Sequence, residues 1–191
     1  MLSYRAGAGT TEQRFESELK QFLASVAEAH ADRSKIIVVC IGSDRSTGDS
    51  FGPLTGTMLK ELGWPNVIGT LEKPCDAHAV ERETLELRED HVVIAIDACL
   101  GQQKSVGSFI LADKPLQPGK AIGRRLPAIG HYSIAGVVNR NGPKAYWKLQ
   151  TTSLFLVLQM AKEAALAIHT AWSGSPERTL AGNPDTRIRI I

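Results

Sequence analysis

The sequence has few cysteines and no closely spaced pair of them. Cys40, Cys75 and Cys99 form no CxxC pattern, and their number is odd. Disulfide frameworks use even sets of cysteines, and structural zinc sites use closely spaced ones. We therefore expect reduced thiols, with neither disulfides nor a structural zinc site.

Long apolar runs and an excess of one charge are also missing. The longest apolar stretches, Ile36–Ile41 and Val92–Ile96, are far shorter than a spanning helix, and Met1–Thr11 has no apolar core. The 22 basic and 20 acidic residues leave a net charge of +2, which does not indicate nucleic acid as a partner. We expect a cytoplasmic protein with no membrane and no direct nucleic-acid partner, and a homo-oligomer stays open.

The glycine motifs of nucleotide-binding folds are absent. After the first apolar run, Cys40 stands where a dinucleotide fingerprint would place its first glycine, and the spacing that follows differs from the fingerprint. No Gly-Lys-Ser/Thr sequence follows either. Nucleotide binding is therefore disfavoured.

What the sequence does contain is an alternation of apolar runs with helical patterns, in a chain of 191 residues that is 43% apolar. This alternation predicts one three-layer α/β domain over residues 1–172, with a mostly parallel twisted sheet, and a loosely ordered tail over residues 173–191. The predicted helices are Thr11–Ala31, Phe51–Lys60, Ala79–Leu87 and Thr151–Trp172. The predicted strands are Ile36–Ile41, Val67–Leu71, Val92–Ile96, Ser105–Leu111 and Tyr132–Val138, with a long loop over Lys114–Pro127.

Two aspartates follow the two most apolar predicted strands. Asp49 lies in the loop after Ile36–Ile41, and Asp97 closes Val92–Ile96. Ligands of parallel sheets bind at the carboxyl ends of the strands, where the strand order reverses. If these strands are neighbours, both carboxylates overhang one crevice. Taken singly, each aspartate is better explained as a cap of a helix or turn, and together they are equally compatible with a functional pair.

Two segments carry a resemblance to a known family. Ile41-Gly-Ser-Asp-Arg-Ser-Thr-Gly-Asp-Ser-Phe-Gly-Pro53 and Ala95-Ile-Asp-Ala98 resemble the YyaC-type sporulation proteins of spore-forming bacteria. Through them, the chain is similar to the germination protease and to the hydrogenase maturation endopeptidases. The resemblance to the YyaC-type proteins runs from about Lys35 to Lys162, and it is strongest in Asp97–Gly107 and Leu149–Lys162.

The resemblance implies a fold like that of the hydrogenase maturation proteases and a site. In both protease groups, acids at the positions of Asp49 and Asp97 face one cleft. The germination protease is regarded as an atypical aspartic protease that degrades small acid-soluble spore proteins. The maturation endopeptidases bind nickel through the two acids and a histidine, which makes His131 the third candidate. The chain departs from both groups in its first turn, where Cys40-Ile-Gly-Ser43 replaces Gly-x-Gly-Asn, and a loop histidine without a site role explains His131 equally well.

These observations predict a sporulation-related peptidase with Asp49, Asp97 and His131 as catalytic candidates. Its expected substrate is a peptide or protein such as a small acid-soluble spore protein, and its expected compartment is the forespore or mother cell. No cofactor is expected, although the same three residues would suit nickel or zinc. The alternative is a non-catalytic sporulation protein that binds a peptide or metal in the same crevice. A small-molecule hydrolase is a third interpretation.

Weaker candidates surround these residues. Cys99 is either a thiol nucleophile or an inert buried cysteine. His78, which follows Cys75 and Asp76, is either a metal ligand or a loop residue. The long loop has a basic flank that is either a solvated face or a docking surface for an acidic substrate segment, formed by Lys104, Lys114, Lys120, Arg124 and Arg125.

Overall fold

A computed structural model of the chain describes residues 11–76, 79–85, 87, 90–119 and 126–173. The helices are α1 (Thr11–Ala29), α2 (Phe51–Glu61), α3 (Ala79–Leu85), α4 (Ala145–Gln150) and α5 (Leu154–Ala171). The strands are β1 (Ile36–Cys40), β2 (Val67–Ile68), β3 (Val92–Gly101), β4 (Phe109–Ala112) and β5 (Tyr132–Arg140). Residues 174–191 of the predicted tail lie outside the described residues.

The five strands form one sheet in the order β2-β1-β3-β5-β4. β1 pairs in parallel with β2 and β3, β3 pairs in parallel with β5, and β4 is antiparallel to β5. This confirms the predicted α/β fold with a mostly parallel sheet. The chain goes from β1 to β2 on one side and then to β3 on the other. The strand order therefore reverses between β1 and β3, and this is where such sheets bind ligands.

One face of the sheet is packed by α1, α2 and α5. Its core contains fully buried large side chains from the helices and the sheet, among them Leu19, Phe51, Met160, Ile94 and Ile134. α5 is long and apolar enough to cross a membrane by length and composition alone. Because seven of its residues are buried and several belong to this core, we interpret it as a core helix.

The other face is covered by α3 and by the chain that follows β4. Its buried cluster is smaller and joins β1 and β3 to Val80 of α3 and to Leu126 and Ile129. An antiparallel bridge between Leu116 and Ile129 joins the two described ends of the long loop. Helices therefore lie on both sides of the sheet: α1, α2 and α5 on one side, and α3 on the other.

Several predicted boundaries differ from the observed ones, and one helix was not predicted. β3 continues beyond Asp97 to Gly101, because it stays paired with β5 after β1 has ended. The last helix begins at Leu154, where the Ser153 side chain accepts a hydrogen bond from the Leu156 amide. The short helix α4 was not predicted, and it begins after Lys144, whose backbone is left-handed with φ 58°.

Candidate functional site

Asp97 lies inside β3, at the level where β1 has just ended. Cys40, the last residue of β1, is aligned with Ile96, whereas Asp97 is aligned only with Ala135 of β5. The missing neighbour strand leaves room beside the carboxylate at the carboxyl end of β1. The β3 residue after it, Ala98, donates its amide N–H to Asp97 Oδ1 over 2.8 Å.

Asp49 reaches the same place from the loop between β1 and α2. The Ser43 amide donates to the Asp49 carbonyl over 3.2 Å, so the loop closes on itself. Gly42 makes this possible: its φ is 144°, and a Cβ there would stand 2.0 Å from the Asp49 carbonyl oxygen. The Gly48 amide donates to the Leu149 carbonyl over 2.8 Å, which ties the loop to α4. The backbone at Asp49 is therefore held by hydrogen bonds within its own loop and by the contact of that loop with α4.

Both carboxylates line one cavity of about 700 Å³. A third carboxylate, Asp76, lines it as well, together with the Cys99 side chain. The predicted convergence of Asp49 and Asp97 on one crevice is therefore seen in the geometry. Their catalytic role stays a prediction.

Burial is the first cause that shifts the ionisation of Asp97. It raises the pKa of this carboxyl to about 8, the negative charge of Asp49 acts in the same direction, and the Ala98 amide opposes both. Asp97 therefore holds a proton at neutral pH. The charge of Asp49 therefore makes ionisation of Asp97 less favourable.

Asp49 is shifted in the same direction. Burial raises the pKa of its carboxyl, and the Ser46 hydroxyl beside it acts in the opposite direction. The pKa of Asp97 is raised further than that of Asp49. The site therefore separates a proton holder, Asp97, from a carboxyl that ionises more readily, Asp49.

Cys99 does not have the ionisation of a thiol nucleophile. Burial, followed by the charge of Asp97, raises the pKa of its thiol to about 11. A reactive cysteine needs its thiolate form at working pH. We therefore interpret Cys99 as part of the cavity wall.

Comparison with known proteins identifies the family of the chain. The family model described as "Protein of unknown function (DUF1256)" matches residues 8–166. The chain belongs to this family. It is 42% identical over 173 residues to the Uncharacterized protein YyaC of Bacillus subtilis (strain 168), covering 85% of this chain and 83% of YyaC. The predicted membership of the YyaC-type proteins is therefore confirmed.

A solved structure shows the same fold at low sequence identity. The [NiFe] hydrogenase maturation protease HycI from Thermococcus kodakarensis KOD1 superposes with a TM-score of 0.51 and 22% identity. The match covers 73% of this chain and 92% of HycI. This DUF1256 protein therefore has a fold like that of a hydrogenase maturation protease, as predicted.

His131 does not join the two aspartates, and this corrects the predicted set of three. It stands just before β5, where its amide donates to the Val93 carbonyl over 2.8 Å. Its Nδ1 accepts the Val93 amide over 3.0 Å. Val93 lies four residues before Asp97 on β3, or about 13 Å along a strand. The parallel register therefore places His131 at the amino end of the sheet, opposite the carboxyl end that holds the cavity.

The described residues do not fit a nickel or zinc site. Nickel and zinc favour imidazole or thiolate ligands beside carboxylates. The described lining of the cavity offers three carboxylates and the protonated thiol of Cys99, and no group of three His, Cys, Asp or Glu among the described residues is arranged to hold a metal. His78, the other histidine that the sequence singled out, lies outside the described residues.

Several residues of the cavity were not singled out by sequence analysis. Its floor consists of small side chains on two strands, Ala112 on β4 and Ser133 and Ala135 on β5. The pattern that could have found them is the alternation of Ser133 and Ala135 with larger residues in a strand, since alternate residues face one side. Ile110 also lines the cavity near its end on β4. Lys114 of the predicted basic flank lines it as well, whereas Lys120, Arg124 and Arg125 lie outside the described residues.

Proposed function

We propose that this protein is a peptidase that uses Asp49 and Asp97 as general base and general acid. The observation that carries the proposal is the single cavity lined by both carboxylates, in which burial raises the pKa of Asp97 to about 8. Close carboxylates resist double ionisation and share a proton. At neutral pH the pair then offers one base and one acid, which is what amide hydrolysis requires.

The proposed reaction begins with a water molecule between Asp49 and the substrate. Asp49 takes a proton from this water as its oxygen attacks the amide carbon, and Asp97 donates its proton to the carbonyl oxygen. The resulting tetrahedral diol collapses when Asp49 returns its proton to the amide nitrogen and Asp97 takes back a hydroxyl proton. The C–N bond breaks, an acid and an amine leave, and both carboxyl groups regain their initial states.

The proposed substrate is a polypeptide, and small acid-soluble spore proteins are its first candidates. This part of the proposal rests on the resemblance to the YyaC-type sporulation proteins, which also suggests the cytoplasm of the forespore or mother cell. A cavity of about 700 Å³ supports it, because such a volume accommodates several side chains or a short peptide segment.

The test is incubation of the purified protein with small acid-soluble spore proteins and a diverse peptide pool, followed by mass spectrometry. We expect cleavage by the unaltered protein and none by Asp97→Asn, which keeps a hydrogen-bond donor but cannot release a proton. Asp44→Asn is the matched control, because Asp44 is an exposed aspartate of the same loop and should leave cleavage unchanged. Binding of peptides without cleavage would contradict the peptidase function and favour the alternative, a non-catalytic binding protein.

The pH dependence separates the carboxylate pair from a metal-activated water. Cleavage should decline as the pH rises through the upper apparent pKa of the pair, because the donated proton is lost. A rate that climbs into alkaline pH and is abolished by a chelator would contradict the carboxylate mechanism.

Elemental analysis tests the metal directly. Because the described donors do not suit nickel or zinc, we expect less than one equivalent of either metal in the purified protein. Stoichiometric nickel or zinc that is lost in Asp49→Ala would overturn this expectation.

A further inference from the structure

The cavity continues well beyond the two aspartates, across the sheet toward β4. Asp97 on β3 is aligned with Ala135 on β5, and Ala135 is aligned with Ile110 on β4. All three residues line the cavity. Because neighbouring strands lie about 4.8 Å apart, Ile110 stands roughly 10 Å from Asp97 across the sheet. The cavity therefore has an acidic end on β3 and a second end on β4.

The second end is open because its floor is made of small side chains. Ser133 and Ala112 are aligned with each other two residues along their strands from Ala135 and Ile110, so the two pairs face the same side of the sheet. A larger side chain at any of these positions would extend into the layer above the sheet. The floor thus leaves space that larger residues would fill.

Several aliphatic side chains line the cavity, besides Lys114 near β4. Leu116 and Leu126 line the cavity from the described chain after β4, and Ile110 lines it from β4 itself. Ile110 is 55% exposed, although it is one of the largest apolar residues of the edge strand. An aliphatic side chain placed here would cover apolar surface that this chain leaves in contact with water, and such burial favours binding.

We propose that this end of the cavity is a subsite for an aliphatic substrate side chain of about the size of leucine. The proposal rests on the peptidase function proposed above and adds a specificity to it. An extended peptide advances about 3.3 Å per residue, so a distance of roughly 10 Å places the bound side chain two or three residues from the scissile bond. Ala135 and Ile110 are the residues that determine its size.

The experiment uses the full chain and two small neutral probes, N-acetyl-leucinamide and N-acetyl-glycinamide. Capped amides avoid attraction or repulsion by the carboxylates and by Lys114, which also line the cavity. Each probe is titrated into protein with labelled isoleucine and alanine methyl groups, and the signals of Ile110, Ala112 and Ala135 are followed by NMR. We expect saturable shifts with the leucine probe, and an affinity roughly tenfold to hundredfold above that of the glycine probe.

Two variants and a matched control locate the binding. Ala135→Leu should abolish the shifts because its side chain fills the subsite. Ile110→Asn should reduce the preference for leucine by about tenfold or more, and it alters an exposed residue, so folding should be retained. Ala24→Leu adds the same side chain as Ala135→Leu at an exposed position of α1 and should leave binding unchanged.

The outcomes distinguish the subsite from the peptidase. Leucine-selective shifts that disappear in Ala135→Leu support the subsite even if no peptide is ever cleaved, in which case only the peptidase proposal fails. Equal binding of both probes, shifts elsewhere in the protein, or unchanged binding in Ala135→Leu and Ile110→Asn would overturn the subsite, even if peptides are cleaved.

Discussion

The two faces of the sheet use the same strands for different purposes. On the face packed by α1, α2 and α5, the strands contribute large side chains such as Ile94, Ile96 and Ile134, all fully buried. On the other face, the same strands contribute Asp97 and Ala135, which line a cavity. Because alternate residues of a strand point to opposite faces, one strand supplies a core and a site at once.

This difference separates the face that contributes most to folding stability from the face that carries the candidate site. Close-packed large side chains supply most of the free energy of folding, because they remove apolar surface from water. A cavity with buried carboxyl groups works against folding, since desolvating a charge is unfavourable. The cavity face is therefore expected to respond to mutation through ionisation and binding, and the core face through stability.

The largest expected effect belongs to the core face. Phe51 is fully buried, packs 6.1 Å from the Phe109 ring and fills the space beside Gly136, where a Cβ would stand 2.8 Å from its ring. Phe51→Ala should lower the free energy of unfolding by about 3–5 kcal/mol, measured by urea denaturation. Ile110→Ala on the cavity face should change it by less than about 1 kcal/mol. Equal effects would contradict the division between the faces.

The next effect concerns the stability of the cavity face as a function of pH. The pKa of Asp97 is about 8 in the folded protein, above its ordinary value of 3.8. Between these values the folded protein binds more protons than the unfolded chain, so stability falls as the pH rises. Asp97→Asn removes this loss, and its melting temperature should exceed that of the unaltered protein more at about pH 9 than at about pH 5. For a chain of this length, each kcal/mol corresponds to about 2–4 °C.

Asp44→Asn controls for the loss of one negative charge. This exposed aspartate should show no comparable gain between acidic and alkaline pH. A melting temperature of Asp97→Asn that follows the unaltered protein in parallel across the whole range would show that Asp97 ionises normally in the folded state.

The local patterns of the sequence were sufficient to predict the layers and the convergence of the aspartates. β1 and β3 are continuous apolar runs, as buried parallel strands require, and the rule for switch points then brings Asp49 and Asp97 together. β3 was predicted to end at Asp97 because the carboxylate interrupts the apolar run. Its continuation to Gly101 depends on pairing with β5, which is a tertiary contact that no local pattern contains.

The floor of the cavity and the position of His131 could not be predicted for a related reason. The floor joins Ala112, Ser133 and Ala135 from two strands, and their alignment is known only from the register of β4 against β5. His131 was assigned from the resemblance to the maturation endopeptidases, which use a histidine beside their two acids. His131 precedes the first residue of β5, so it lies at the amino end of that strand, away from the two aspartates.

A smaller effect is expected from His131, and it should be confined to stability. His131→Ala removes the acceptor of the Val93 amide, which belongs to a residue that is 3% exposed. Leaving a buried donor unpaired should lower the free energy of unfolding by about 1–3 kcal/mol. The pKa of Asp97 and any peptide cleavage should stay unchanged. A change in either would mean that His131 acts on the cavity after all, and His131→Asn, which keeps an acceptor, should recover part of the stability.

The smallest effect, and the sharpest test of the acid pair, is the response of Asp97 to the loss of its neighbour's charge. Burial is the first cause of the raised pKa of Asp97, and the charge of Asp49 is a lesser one. Asp49→Asn should therefore lower the pKa of Asp97 while leaving it above the ordinary value of 3.8, as measured by NMR titration of the labelled Asp97 carboxyl carbon. Asp44→Asn, in the same loop but exposed, should leave the pKa of Asp97 unchanged.

An unchanged pKa of Asp97 in Asp49→Asn would mean that the two carboxyl groups do not interact and cannot share a proton. A fall of the Asp97 pKa to the ordinary value would mean that the charge of Asp49, rather than burial, keeps Asp97 protonated. The cavity face would then not desolvate this carboxyl more than an exposed loop does.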